Sequence, residues 1–365
     1  MARPPTTAHV RAAERTRVIV KTTAELAATA KQILELAGAD EQNAAIVAEH
    51  LAAADESGVH SHGVCHLPGY VDDIEAGRLD ATARPATLRE ESGYALVSGN
   101  WTFGQVAAQY ATELGLAKAN SAGISLVGLV ESHHIGRLGH FTELAASRGA
   151  ICMVWGGGYA EEDPHTAPYG GRERLLGTNP IAFGFPGGDE PPMTFDFATT
   201  AVAGMKVVTA RRRGEALPAG SLIDARGAPS TNPEDFFDGG AHVTFGGHKG
   251  YAIAMAAEWL GRLLTGSDAY ADTRHGGRIL GHQGVTIIVI RADLFAPLQA
   301  FEERADEMAR RTAKVAPAPG FDRVLVPGEI EFRTRERQRA HGVAMEDDVW
   351  ESLMQLRERL AVHAA

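Results

Sequence analysis

Ile124-Ser125-Leu126-Val127-Gly128-Leu129-Val130 runs without a break into Glu131-Ser132-His133-His134-Ile135-Gly136. The first seven residues have the length and apolar, β-branched composition of a buried strand, and two imidazoles emerge where that strand stops. Ligands of α/β sheets bind at such strand ends. Imidazole changes protonation near neutral pH, and a histidine released just before a glycine can be aimed into a cleft, so His134 is the candidate acid/base. A second group, His60, His62 and His66, lies upstream, and six of the 15 histidines fall within Val59 to Tyr70 and Ser132 to His140. Two such clusters point to one shared site.

Working outward, Ala95 to Ser98 is β-like, Gly99-Asn100 is a turn and Gln105 to Ala119 is an Ala-rich helix. Strand, helix and strand in this order predict a βαβ unit. After the histidine pair the sequence predicts a helix over Phe141 to Arg148 and buried strands over Ile151 to Trp155, Ile181 to Phe185 and Val285 to Ile290. Upstream, Thr22 and Glu25 form a capping box, Gly38 can end that first helix, and Asp40 caps a second carrying Ala44, Val47 and Leu51. This helical hairpin delivers the chain to Gly58, Gly63 and Gly69, which place the first histidines on turns or a short extended piece. Thr209 to Pro233 reads as loop, Pro297 to Ala313 as an amphipathic helix and Asp347 to about Ala361 as a terminal helix. Residues 1–17, with two prolines and four arginines, read as a flexible tail; Glu14 and the lack of serine weaken a transit-peptide reading.

The net charge of −11 over 365 residues, without long basic blocks, argues against nucleic acid or an anionic membrane surface as partner. Any bound phosphate must be held locally. No apolar run approaches the roughly 18 to 20 residues of a membrane span. Cys65 and Cys152 form no C-x-x-C pair, which fits a reducing compartment, and the expected location is cytoplasmic.

Gly246-Gly247-His248-Lys249-Gly250 leads into an apolar helix from Tyr251 to Leu264, a plausible anion site at a helix start. Neither the P-loop spacing nor a strand followed by G-x-G-x-x-G occurs. His60 and His62 would share one face of an extended strand, so a zinc-dependent hydrolase is the rival class, although no spacing compels further ligands. Ser61 and Ser132 adjoin histidines, but no G-x-S-x-G elbow accompanies them.

Five motifs in order, Gly58-Val59-His60-Ser61-His62-Gly63, Ser132-His133-His134-Ile135-Gly136, Leu176-Gly177-Thr178-Asn179-Pro180, Asp196-Phe197-Ala198-Thr199-Thr200 and Gly246-Gly247-His248-Lys249-Gly250-Tyr251, together resemble the malate/L-lactate dehydrogenase family. The match runs from about Lys21 to the C-terminus. The family includes ureidoglycolate and sulfolactate dehydrogenases and cyclic ketimine reductases, and is unrelated to the Rossmann-type lactate dehydrogenases. The resemblance implies an α/β fold with a non-Rossmann, mixed-sheet NAD(P)-binding domain at 91–324 and a helical substrate and dimerisation domain built from 18–90 and 325–365. It implies a homodimer and reversible hydride transfer between NAD or NADP and a carboxylate-bearing C=O, or C=N in the ketimine reductases. By position, His134 matches the acid/base, Ser61 and His62 the motif beside nicotinamide and substrate, and Tyr70 a substrate-pocket tyrosine. Asp196, Phe197, Ala198, Lys249, Gly250, Arg278, Gly328, Glu329 and Ile330 match cofactor-binding segments, and no metal is implied.

Two substrate positions depart from the family pattern. His66 stands where an arginine usually offers its fork to the substrate carboxylate, and Gly158, followed by the acidic loop Tyr159 to Asp163, replaces a polar contact. The expected substrate is therefore larger than malate or lactate, or presents its carboxylate differently, as a cyclic imine would. The Arg211-Arg212-Arg213 run is either a 2′-phosphate contact or a solvated loop, and the solvated reading is preferred.

Overall fold

The computed structural model describes residues 17–364, so all but the last residue of the expected tail lies outside the described residues. The chain opens with β1 (Val18–Lys21), α1 (Thr23–Leu36), α2 (Glu41–Glu56) and α3 (Leu67–Glu75). Then come β2 (Ala86–Glu91), β3 (Tyr94–Ser98), α4 (Gly104–Ala122), β4 (Ile124–Val130), α5 (Gly139–Ala146), β5 (Ala150–Gly157), β6 (Ile181–Phe185) and β7 (Met193–Phe197). A small lobe follows with α6 (Gly204–Arg213), β8 (Leu222–Ile223), β9 (Pro229–Ser230), α7 (Pro233–Phe237) and β10 (Ala241–His242). The remainder is α8 (His248–Glu258), α9 (Thr273–Leu280), β11 (Gly284–Arg291), α10 (Leu298–Ala313), α11 (Glu329–His341), β12 (Val343–Glu346) and α12 (Asp347–Ala364).

The helical hairpin starts as its caps dictate. Thr22 accepts from Glu25 N–H while Glu25 reaches back to Thr22, and Asp40 accepts from the N–H groups of Gln42 and Asn43. Leu26, Ala30 and Ile33 from α1 and Ala44, Val47 and Leu51 from α2 are buried in one core, with Leu67 and Val71 from α3 and Leu353 from α12.

A second core belongs to a seven-stranded sheet of order β2-β3-β4-β11-β5-β6-β7. Only β3 and β4, the strands of the expected βαβ unit, run parallel; every other neighbouring pair is antiparallel. β11 enters between β4 and β5, with Val285 opposite both Leu129 and Gly156. Its start therefore lies beside the ends of β4 and β5. Gln283, just before β11, donates to the carbonyls of Ser132 and His133 at 3.3 and 3.1 Å and fixes the backbone that carries the histidine pair. β2 belongs to this sheet and spans 86–91, so a domain boundary at residue 90 falls inside a strand.

The expected loop over Thr209 to Pro233 is corrected in two places: Thr209 to Arg213 complete α6, and the short paired strands β8 and β9 lie inside it. Val207 and Ala210 are the only buried residues of that helix, too few to give an apolar stripe. Its three arginines sit in the last turn, where they suit the helix dipole. Arg211 pairs with Glu234 at 2.9 Å, and Arg212 and Arg213 both reach Glu346, at 2.9 and 2.6 Å. The helix α11 had no apolar signal either: it is polar nearly all round and acts as an ionic strap. Arg335 donates to Ser57 and Glu143, and Arg339 to Glu56, which ties α11 to α2 and α5.

Candidate active site

The two histidine groups meet. His60 to His62 and Val64 to His66 form consecutive 3₁₀ turns between α2 and α3, which agrees with the turn reading and rules out the extended H-x-H geometry. His60 Nδ1 pairs with buried Asp55 at 2.8 Å, and the other oxygen of Asp55 accepts from Val64 N–H at 2.8 Å. His62 instead faces the second group: its ring lies 5.8 Å from that of His134 and 6.1 Å from that of His66. The pair thus points to different partners, and the premise of the zinc alternative is lost. His66 and His134 are closer still, at 4.7 Å.

His134 is anchored through one nitrogen. Its Nδ1 lies 2.9 Å from the hydroxyl of Tyr70 in α3, and that hydroxyl accepts from Gln105 Nε2 at 2.6 Å. Ser61 Oγ lies 3.0 Å from His62 Nδ1. His66 donates from Nε2 to the Ser61 carbonyl at 2.7 Å, which leaves Nδ1 of the neutral ring as a bare acceptor. The neighbouring His133 does different work, pairing at 3.1 Å with Asp73, which Arg78 also holds.

Burial makes this group a set of neutral imidazoles. It pushes His134 well below its ordinary value, with the nearby His66 and His62 adding to the effect. Burial and then His66 bring His62 down to about 4, burial lowers His66, and burial raises the Tyr70 hydroxyl. His50, under the same site, is lowered by burial and accepts from Arg137 N–H at 2.9 Å.

A cavity of about 350 Å³, within the size range of small-molecule sites, is lined by chain neighbours of these residues and not by the histidines themselves. Val59, two residues before Ser61, and Arg137, three after His134, line it together with Gly139, Asp196, Phe197, Gly328, Ile330 and Glu331. Asp196 ends on the α5 start, accepting from Gly139 N–H at 2.8 Å, and burial pushes its carboxyl up to about 6. Ala198 follows directly on β7. Glu329 is turned to Arg333 at 2.5 Å and to the N–H of Val326 at 3.0 Å. Another hollow, on α10, is lined by Ala296, Ala300, Phe301, Arg304 and Ala305 and gathers none of these groups.

The remaining expected residues lie elsewhere. Lys249, exposed, and Gly250, buried, stand in the first turn of α8, whose N-terminus has no side-chain cap and is preceded by Gly246 and Gly247 at positive φ. Arg278, exposed on α9, donates to the Glu162 carbonyl of the acidic loop at 2.7 Å. Gly158, at φ +66°, leaves no room for a side chain, because a Cβ there would strike the His282 carbonyl. Its N–H donates to Glu258 at 3.1 Å.

Sequence reasoning missed Gln105, Arg137, Glu143 and Arg335. Gln105 is buried in an Ala-rich helix, and Arg137 pairs in the interior with Glu143, which Arg335 also holds. A charged residue three positions after the histidine pair was the available signal for Arg137.

The described chain matches the family model for malate/L-lactate dehydrogenase over residues 22–354. It is 36% identical over 335 residues to a Delta(1)-pyrroline-2-carboxylate/Delta(1)-piperideine-2-carboxylate reductase of Pseudomonas putida, covering 91% of this chain and 95% of that protein. It is 35% identical to hydroxycarboxylate dehydrogenase B of Escherichia coli, covering 87% of each. Among solved structures, the malate dehydrogenase of Pyrococcus horikoshii superposes with a TM-score of 0.84 at 31% identity, over 94% of this chain and 96% of that one. The delta1-piperideine-2-carboxylate reductase of Pseudomonas syringae superposes at 0.82 with 33% identity, over 93% and 99%. With this sheet order, this histidine group and these likenesses along nearly its whole described length, the chain belongs to the malate/L-lactate dehydrogenase family, whose members are NAD(P)-dependent oxidoreductases.

Proposed function

We propose that this enzyme moves a hydride reversibly between NAD(P)H and the carbon of a carboxylate-bearing C=O group, with His134 as acid/base. The observation that carries the reading is the anchoring of His134: Tyr70 occupies Nδ1, so Nε2 is the nitrogen left for substrate. During reduction that nitrogen would give a proton to the developing alkoxide, and during oxidation it would take one. A ring whose proton affinity is lowered by burial suits both tasks, because it gives up its proton readily and is neutral at neutral pH.

The residues present fit a nicotinamide cofactor. The uncapped start of α8, with two glycines and Lys249, suits a pyrophosphate, and the cavity beside Val59, Arg137, Asp196 and Gly328 suits the nicotinamide end. The bound cofactor supplies or accepts the hydride. Ser61 and His62 would border it, with Phe197 and Ile330 as apolar walls and Ala198, Gly250, Arg278 and Glu329 in supporting segments. NAD is the reading preferred over NADP, since Arg211 to Arg213 are already matched by carboxylates.

A second substrate reading rests on His66. With Nε2–H given to the Ser61 carbonyl, neutral His66 offers an acceptor where an arginine would offer donors, which favours a substrate bearing an N–H or O–H group over a bare 2-keto acid. A cyclic imine next to a carboxylate, protonated at nitrogen, has that donor. Gly158 is crowded by the His282 carbonyl and is a substrate contact only through its backbone. A homodimer in the cytoplasm, with a helical domain from about 18–85 plus 325–365 and a cofactor domain that starts before β2 and runs to about 324, completes the proposal. The two cysteines, unpaired in this structure, support a reducing compartment.

The test is a fluorescence titration with NADH and NADPH, followed by assays of 2-keto acids and cyclic imine carboxylates by loss of reduced-nicotinamide absorbance. Saturable cofactor binding and turnover by wild type but not by His134→Asn would support the reading. Full turnover by that variant would end it.

A further inference from the structure

The catalytic proposal leaves one buried polar group unused. Gln105, the second residue of α4, is 1% exposed; its Nε2 meets the Tyr70 hydroxyl at 2.6 Å, and its Oε1 is buried without a partner. Its position is built into the backbone. A Cβ on the preceding Gly104 would collide with the carbonyl of His133 and the backbone of His134, so glycine lets the start of α4 press against the histidine pair. The row Gln105, Tyr70, His134 is therefore continuous, at 2.6 and 2.9 Å.

Hydrogen-bond direction along this row is constrained at both ends. An amide nitrogen only donates, so with Nε2 on the Tyr70 oxygen the hydroxyl is free to send its own proton to His134 Nδ1. The neutral ring then carries its proton on Nε2, and Nε2 cannot take one from substrate. When the amide is turned, Oε1 accepts from the Tyr70 hydroxyl and the tyrosine oxygen accepts from His134 Nδ1–H. Nε2 is then bare in the neutral ring and protonated in the imidazolium, which are the two forms that acid/base work needs. Nothing on the Nδ1 side has to change as the proton moves.

We propose that Gln105 is a positioning residue whose amide orientation, relayed through Tyr70, selects the tautomer of His134, with Oε1 on the tyrosine in the working state. This inference rests on the acid/base reading of His134. The other titratable groups around the ring are His62 and His66 from the turns, His133 beside it and His50 from α2.

The tautomer can be read without any substrate, by imidazole-nitrogen NMR of the full chain labelled in histidine, with the His134 signals identified by their loss in His134→Gln. Gln105→Glu offers only acceptors when ionised, and Gln105→Met offers neither donor nor acceptor. Gln105→Glu is expected to move His134 toward the Nδ1–H form and raise its midpoint by about one pH unit. Gln105→Met, which also serves if the glutamate variant does not fold, is expected to give a different mixture of the two tautomers from wild type. In a Tyr70→Phe background the tautomer changes should vanish, because the relay is cut, while the through-space effect of the glutamate charge on the midpoint remains. An unchanged His134 tautomer in both Gln105 variants, or the same tautomer change with and without Tyr70, would overturn the proposal. Failure of the acid/base reading shows separately, as full turnover by His134→Asn.

Discussion

The molecule has two buried groups centred on histidine, and they are wired in opposite ways. Around His134, the ring nitrogen Nδ1 has a partner, two further imidazoles stand within about 6 Å between ring centres, and Arg137, three residues on, lines a cavity. Around His242, in the small lobe, both ring nitrogens are buried without a partner, and the ring lies 4.8 Å from that of Phe236, over which Arg174 also stacks. Burial lowers both rings, His242 to about 4. A depressed proton affinity therefore marks neither as catalytic. What separates them is the chain of hydrogen bonds that holds Nδ1 of His134 through Tyr70 and Gln105, where His242 has no partner on either nitrogen.

The two groups should differ most in turnover. His134→Asn is expected to lower kcat by roughly a hundredfold to ten-thousandfold, the range for loss of a general acid/base. His242→Phe should leave kcat within about twofold, checked in the same steady-state assay. Equal losses in both variants would remove the distinction.

Both groups should matter for acid stability. His50, His62, His134, His140 and His242 are all depressed below the ordinary value of 6.5 in the folded state. The unfolded chain thus binds more protons, so stability is full above about pH 6.5 and falls as pH drops toward the folded values near 4. By about pH 5.5 His62, His140 and His242 each lose roughly 1 kcal/mol, and the lowering of His50 and His134 by burial acts in the same direction. Thermal melts across this window should show a steep fall in Tm. His242→Phe should be less acid-sensitive than wild type by about 1 kcal/mol.

Smaller effects sharpen the picture within the His134 group. Tyr70→Phe removes the partner of Nδ1 and is expected to reduce kcat by roughly tenfold to a hundredfold, in keeping with one lost hydrogen bond to a group that becomes charged. Cofactor affinity, measured by fluorescence, should be unaltered. His66→Arg restores donors at the carboxylate position and should lower KM for simple 2-keto acids by about tenfold. An unchanged KM would place the substrate carboxylate elsewhere.

Much of this was legible in the sequence. β4 coincides with the apolar run, the caps at Thr22 and Asp40 start α1 and α2, and the meeting of two distant histidine groups follows from their density. What was not legible depends on partners far along the chain. α11 binds through Arg335 and Arg339 rather than an apolar stripe, and α6 buries only two side chains. The insertion of β11 between β4 and β5 is a long-range pairing that no local pattern encodes. Gln105 was invisible because its placement depends on Gly104 yielding space to the His133 carbonyl, and the crowding of Gly158 likewise comes from distant His282.

The most direct test is the pH dependence of hydride transfer itself, measured in single turnovers with saturating NADH or NADPH and whichever carboxylate-bearing substrate is accepted. The account predicts that the reductive rate falls with rising pH through a midpoint below 6.5, that the oxidative rate rises through the same group, and that His134→Asn abolishes both limbs. A pH profile that keeps its midpoint in His134→Asn would assign the proton to another residue and contradict the account.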